Sequence, residues 1–133
     1  MLRRKFILLT ATGGTAICMT GLNCSSRKPA FYDVLDKPGE LAHICDTKTI
    51  QKIGKAYRLQ APSESGSDRL ISLLSADSNG EPLSASLDKK YVETLINKKI
   101  IQDFEKGNTV TVKGWILAVT EARQCALFAI NNP

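Results

Sequence analysis

Between Asp46 and Gln60 the apolar positions Ile50, Ile53 and Tyr57 recur at intervals of three and four, the spacing of one face of an α-helix. Asp46 stands where its carboxylate can cap that helix, and Ala61-Pro62 ends it. Gly54 in its middle costs about 1 kcal/mol relative to Ala, which implies a closely approaching neighbour. A second, short helix starts at Ser67 with Leu70, Ile71, Leu73 and Leu74 inward, and the turn residues Asp77-Ser78-Asn79-Gly80-Glu81-Pro82 break it. Ser86 is the expected cap of the longest helix. Its apolar positions Leu87, Tyr91, Leu95, Val92, Ile96 and Ile100 form one broad stripe that Ile101 and Phe104 close, with Lys89, Lys90, Lys98 and Lys99 facing away. Gly107-Asn108 stops it.

The rhythm then changes. Thr109-Val110-Thr111-Val112-Lys113 alternates and Trp115-Ile116-Leu117-Ala118-Val119 is β-rich, with Lys113-Gly114 between, so a short hairpin or bent strand is expected. Thr120 can cap a last helix with Glu121 in its first turn, where a negative charge suits the helix dipole. Ala122, Cys125, Ala126, Leu127, Phe128, Ala129 and Ile130 leave that helix almost no polar side, so it must be buried within the domain or under a partner. The expected fold class is mainly α: a small domain of about four helices with a short β-hairpin or bent strand before the last one.

The N-terminal pattern is of another kind. Met1 to Lys5 is basic and Phe6 to Leu22 is uncharged, the layout of a signal peptide. Arg3-Arg4-Lys5-Phe6-Ile7 resembles the twin-arginine signature, and Thr10, Thr12, Gly13, Gly14 and Thr15 keep the following segment weakly hydrophobic, as such leaders are. Arg3, Arg4 and Phe6 are thus the export-signal residues, the twin-arginine translocon is an expected partner, and the expected location is the periplasm or cell envelope. A plain secretory leader and an uncleaved anchor are the competing readings; as an anchor, the apolar stretch would span only about 25 Å as a helix, short of a ~30 Å hydrocarbon core. Cys24, followed by Ser25-Ser26, stands where a lipoprotein signal places its lipidated cysteine, although Gly21 and Asn23 depart from that pattern. Lipidation at Cys24, with attachment to the membrane, and ordinary cleavage nearby are both open. The expected organisation is an export signal over 1–23, a tether over 24–40 that begins to dock near Phe31, and a helical domain over 41–133.

The chain has 133 residues, 43% hydrophobic and 23% charged, which suits one small globular domain. Its formal charge of +5 shrinks once Arg3, Arg4 and Lys5 are set aside, because 18 basic against 13 acidic residues becomes 15 against 13. With only 6% aromatic residues there is no stacking platform, so nucleic acid is not an expected partner.

Catalytic patterns are missing from the sequence. His43 is its one histidine, and His43 with Cys45 supplies too few ligands for zinc, while any Ser or Cys triad would need His43 as its base. Neither a phosphate-binding loop nor a dinucleotide fingerprint is present. Asp103 and Glu105 are expected on different faces of a solvated, lysine-rich helix, with Asp33 and Asp36 in the tether. No catalytic residue, metal site or cofactor is expected. If the leader is lost and Cys24 lipidated, Cys45 and Cys125 remain. They form either a disulfide, closing a loop of about 80 residues worth roughly 4 to 5 kcal/mol, or two small buried apolar residues.

Three stretches carry a family resemblance: Ile53-Gly54-Lys55-Ala56-Tyr57, then Asp103-Phe104-Glu105-Lys106-Gly107 leading into Val110-Thr111-Val112, and Gly114-Trp115-Ile116-Leu117 running into Thr120-Glu121-Ala122-Arg123-Gln124-Cys125-Ala126-Leu127. With the twin-arginine leader they resemble the small exported proteins that accompany flavin-dependent sugar or alcohol dehydrogenases, the gluconate 2-dehydrogenase subunit 3-like group. The resemblance covers about half of the mature chain, and the chain is short for that group. It implies a non-catalytic accessory subunit that binds, stabilises and co-exports a large flavoprotein dehydrogenase subunit. Trp115, with Leu117 and Phe128, is then the candidate partner interface, and core packing is the competing reading of Trp115. A free-standing envelope lipoprotein or binding module is the alternative function.

Overall fold

The computed structural model of the chain describes residues 31–133. Six helices and one hairpin follow each other: α1 (Tyr32–Leu35), α2 (Gly39–Ile44), α3 (Thr47–Gln60), a 3-10 turn (Pro62–Glu64), α4 (Ser67–Leu74), α5 (Lys89–Lys106), β1 (Thr109–Val112), β2 (Trp115–Ala118) and α6 (Val119–Asn131). The fold is mainly α with an antiparallel hairpin before the last helix, as the periodicity predicts. No helix among the described residues is long and apolar enough to cross a membrane.

Helix α6 is the centre of the molecule, and its apolar character is satisfied within the domain. Ala122, Cys125, Ala126, Leu127 and Ala129 are buried on it, with α3, α4, α5 and the hairpin packed around them. The seam with α3 is the closest. A Cβ on Gly54 would overlap the backbone carbonyl of Cys125 and lie 2.8 Å from Ala129 Cβ, so the glycine in mid-helix is required by the approach of α6.

Local chemistry explains most element ends. Asp46 caps α3, its carboxylate accepting from the Thr49 amide at 2.8 Å. Helix α5 ends in a Schellman motif: Gly107 adopts φ 75°, the Asn108 amide donates to the Asp103 carbonyl at 2.7 Å and the Gly107 amide to the Phe104 carbonyl at 3.3 Å. Lys113 and Gly114 both take positive φ, 53° and 85°, the conformation of the two-residue turn that matches strand twist, and Val112 pairs with Trp115 across it.

Several expectations are corrected. The segment expected to begin docking near Phe31 is packed into the domain from that residue onward, short of the boundary at residue 40: Phe31, directly before α1, and Leu35, its last residue, are among the most buried side chains. Asp88, not Ser86, caps α5 by accepting from the Lys90 amide at 3.2 Å. The buried stripe of α5 is narrower than predicted: Val92, Ile96 and Ile100 are buried, whereas Tyr91, Ile101 and Phe104 are exposed. Lys99 does not face away, because its ammonium donates to the carbonyls of Leu73 and Ala76 at 3.1 and 3.0 Å and closes the C-terminal end of α4. Thr120 does not cap α6. The cap position is Ala118, two residues earlier, and the helix starts at Val119, with Glu121 accepting from the Ala118 amide at 3.1 Å.

Candidate functional site

The export residues Arg3, Arg4 and Phe6, and the lipidation candidate Cys24, lie outside the described residues. Cys45, just after α2, and Cys125, on α6, are both free thiols. Burial, then the charge of Glu121 and the nearby Cys45, push the Cys125 thiol up to about 12, and burial and then Asp46 raise that of Cys45. Both are therefore protonated, poor nucleophiles at neutral pH. Of the three interface candidates, Leu117 lies in the core, while Trp115 and Phe128 are partly buried and packed against it. Leu117 is thus corrected to a core residue. Among the described residues no three His, Cys, Asp or Glu side chains gather as a metal site requires.

Polar groups converge instead at a cleft of about 360 Å³ bounded by α1, the α1–α2 turn, α2, α5 and α6. Its inner wall includes Gln124, only 1% exposed, and its rim carries Asp33, Glu40, Lys89, Glu93 and Asn97. The backbone brings these together from both ends of the sequence. The Gln124 amide nitrogen donates to the carbonyls of Val34 and Lys37 at 3.2 and 3.1 Å, tying α1 and the turn after it to α6. Two carbonyl acceptors fix which way the amide lies, since its oxygen can accept from neither. That oxygen, Oε1, is buried and has no hydrogen-bond partner. Lys89 and Asp33 pair across the rim at 3.0 Å, and His43 and Lys37 complete the lining. Three residues before Gln124, burial raises the Glu121 carboxyl above its ordinary value, and the negative charges of Glu40 and Asp103 add to the rise.

Two further polar clusters are structural in their geometry. Asp103 accepts from the Thr120 amide at 2.9 Å and its hydroxyl at 2.6 Å, so this carboxylate holds the start of α6 onto the end of α5 instead of facing solvent. Arg123 grips Glu64 with two bonds of 2.8 and 3.1 Å, and Tyr57 donates to the same carboxylate at 3.0 Å. The Arg123 guanidinium holds Glu64 below the usual carboxylate range, and burial with the Glu64 bond pushes Tyr57 up to about 12. These groups tie the 3-10 turn to α3 and α6.

Gln124, Glu121 and Lys99 are the residues that sequence reasoning misses. A signal exists for the first: Gln124 is an amide directly before the apolar run from Cys125 to Ile130, the kind of buried polar residue that must find partners. Comparison of the chain with protein-family models, with curated proteins and with solved structures finds no match in any of the three.

Proposed function

We propose that the chain is a non-catalytic accessory subunit that binds, stabilises and is exported with a larger protein, the flavin-dependent sugar or alcohol dehydrogenase implied by the resemblance of its sequence. The observation that supports this reading is the outer side of α5, where Ile101 is 59% and Phe104 48% exposed on the same helix that buries Val92, Ile96 and Ile100. Large apolar side chains side by side on a helix surface suit a partner face. Phe104 also belongs to one of the stretches that carry the resemblance. The proposed interface therefore moves from Leu117 to α5, and Trp115 packs against the core.

Tagged full-length chain purified from its host is expected to bring a large subunit with flavin absorbance. The double variant Ile101→Glu, Phe104→Glu is expected to lose that subunit while melting within a degree or two of wild type, because exposed substitutions perturb stability little. A wild-type eluate without flavin would overturn the accessory role, and undiminished co-purification by the variant would overturn the α5 interface. The cleft favours a second reading, a binding module of the cell envelope, in which the chain is purified alone.

A further inference from the structure

We propose that the outer face of α3 docks on an anionic lipid surface, with Lys48, Lys52 and Lys55 set against the headgroups and Leu59 entering the apolar boundary beneath them. The proposal rests on neither reading of the function, since α3 is a different helix from the α5 partner face.

Charge in this domain is segregated. Residues 31–133 carry 13 basic and 13 acidic side chains, but α3 holds four of the basic ones and no acid, which leaves nine against 13 elsewhere. Lys48, Lys52, Lys55 and Leu59 follow at intervals of four, three and four, one stripe of a helix. All four are exposed, while Ile50, Ile53, Gly54 and Tyr57 form the buried face. None of the three lysines forms an ion pair among the described residues. Asp46, at the cap, lies near Lys48 and Lys52 and offsets one charge of the stripe.

Leu59 adds an independent observation. At 85% exposed it is the most exposed of the large apolar side chains described, and it continues the line of the lysines. Lysines beside a leucine form the composition that holds a helix at a membrane interface, where the charges meet anionic headgroups and the apolar side chain leaves water. The choice of lysine separates this surface from a protein interface. Protein partners select arginine and aromatic anchors and disfavour lysine, because a fixed carboxylate suits a planar fork. Compact charges on flexible stems follow headgroups that move.

The test is Leu59→Trp in the full chain, titrated at neutral pH and low salt with phosphatidylglycerol vesicles, phosphatidylcholine vesicles and polyglutamate. The apolar stretch of the expected export signal partitions into either vesicle, so the signal read is the emission of the variant less that of wild type, whose one tryptophan is Trp115. A blue shift is expected with the anionic vesicles and not with the neutral ones, and it is lost at about 0.5 M salt through screening. Adding Lys48→Gln, Lys52→Gln and Lys55→Gln is expected to raise the phosphatidylglycerol concentration at half shift about a hundredfold, about fivefold per charge. Adding instead Lys90→Gln, Lys98→Gln and Lys106→Gln removes the same charge from α5 and is expected to leave it nearly unchanged. All these lysines are exposed, so both triple variants keep the melting temperature of Leu59→Trp within a degree or two. An equal shift on neutral vesicles overturns docking by charge. A shift with polyglutamate alone assigns an acidic protein and overturns the lipid surface. Absence of any shift, or equal weakening by the two triple variants, overturns the α3 face.

Discussion

The two sides of α6 are built on opposite rules. Toward α3, Gly54 and the small residue Ala129 let two helices approach until only hydrogen fits between them, and the buried Cys125 lies in that seam. Toward α1 and α2, the contact runs through the Gln124 amide, Glu121 is buried without a charged partner, and a cleft remains. Dense apolar packing stabilises but leaves nothing for a ligand to satisfy. The polar side gives up part of that stabilisation and keeps an unfilled acceptor, the usual mark of a surface shaped by something other than folding.

The sharpest way to break the comparison is Gly54→Ala. Ala gains about 1 kcal/mol in helix propensity over Gly, but its methyl must displace a backbone carbonyl that no rotamer change can move. A net loss of about 2 to 3 kcal/mol is expected in urea unfolding. A stability equal to or above wild type would show that the α3 seam is loose, and the contrast with the cleft side would vanish.

On the other side the effect should be smaller. Gln124→Leu removes two hydrogen bonds to Val34 and Lys37 carbonyls, each worth about 1 kcal/mol, but it also removes the buried, unpartnered Oε1. The two effects oppose, so a net loss of about 1 kcal/mol is expected, with earlier hydrogen exchange in α1 and α2. A gain in stability would mean that the orphaned oxygen outweighs both bonds, and would sharpen the contrast by showing Gln124 to be kept at a cost to folding.

The same contrast governs what the sequence discloses. Helices α3 and α4, the hairpin and the buried α6 are legible because periodicity, Asp46, Lys113-Gly114 and Gly107-Asn108 are local signals. Helices α1 and α2 are too short to show a period, and Phe31 and Leu35 acquire meaning only from the core they enter. On α5 the apolar residues cover more of the helix than the core does, so no rule of spacing separates Ile100, buried, from Ile101, exposed. The cleft is the least legible part: it joins Asp33 and Glu40 to Glu93 and Gln124, residues that only tertiary packing brings together.

The smallest effect concerns Glu121, one turn before Gln124 on α6. Its folded-state pKa is raised above the ordinary value of 4.5, chiefly by burial, with Glu40 and Asp103 adding to the rise against the Ala118 bond. A raised carboxyl contributes stability that is fully present below 4.5 and is lost as pH rises through the folded value. Glu121→Gln keeps an oxygen for the Ala118 amide, as the capping box allows, and carries no charge to desolvate. The variant is therefore expected to match wild type near pH 4 and to exceed it by a few tenths to about 1 kcal/mol at pH 7, read as the difference between two urea titrations. The opposing carboxylate, Glu64, is unchanged in both proteins and cancels in that difference. A variant less stable than wild type at pH 7 would mean that the charged cap on α6 outweighs its burial, and would place Glu121 with the well-satisfied half of the molecule.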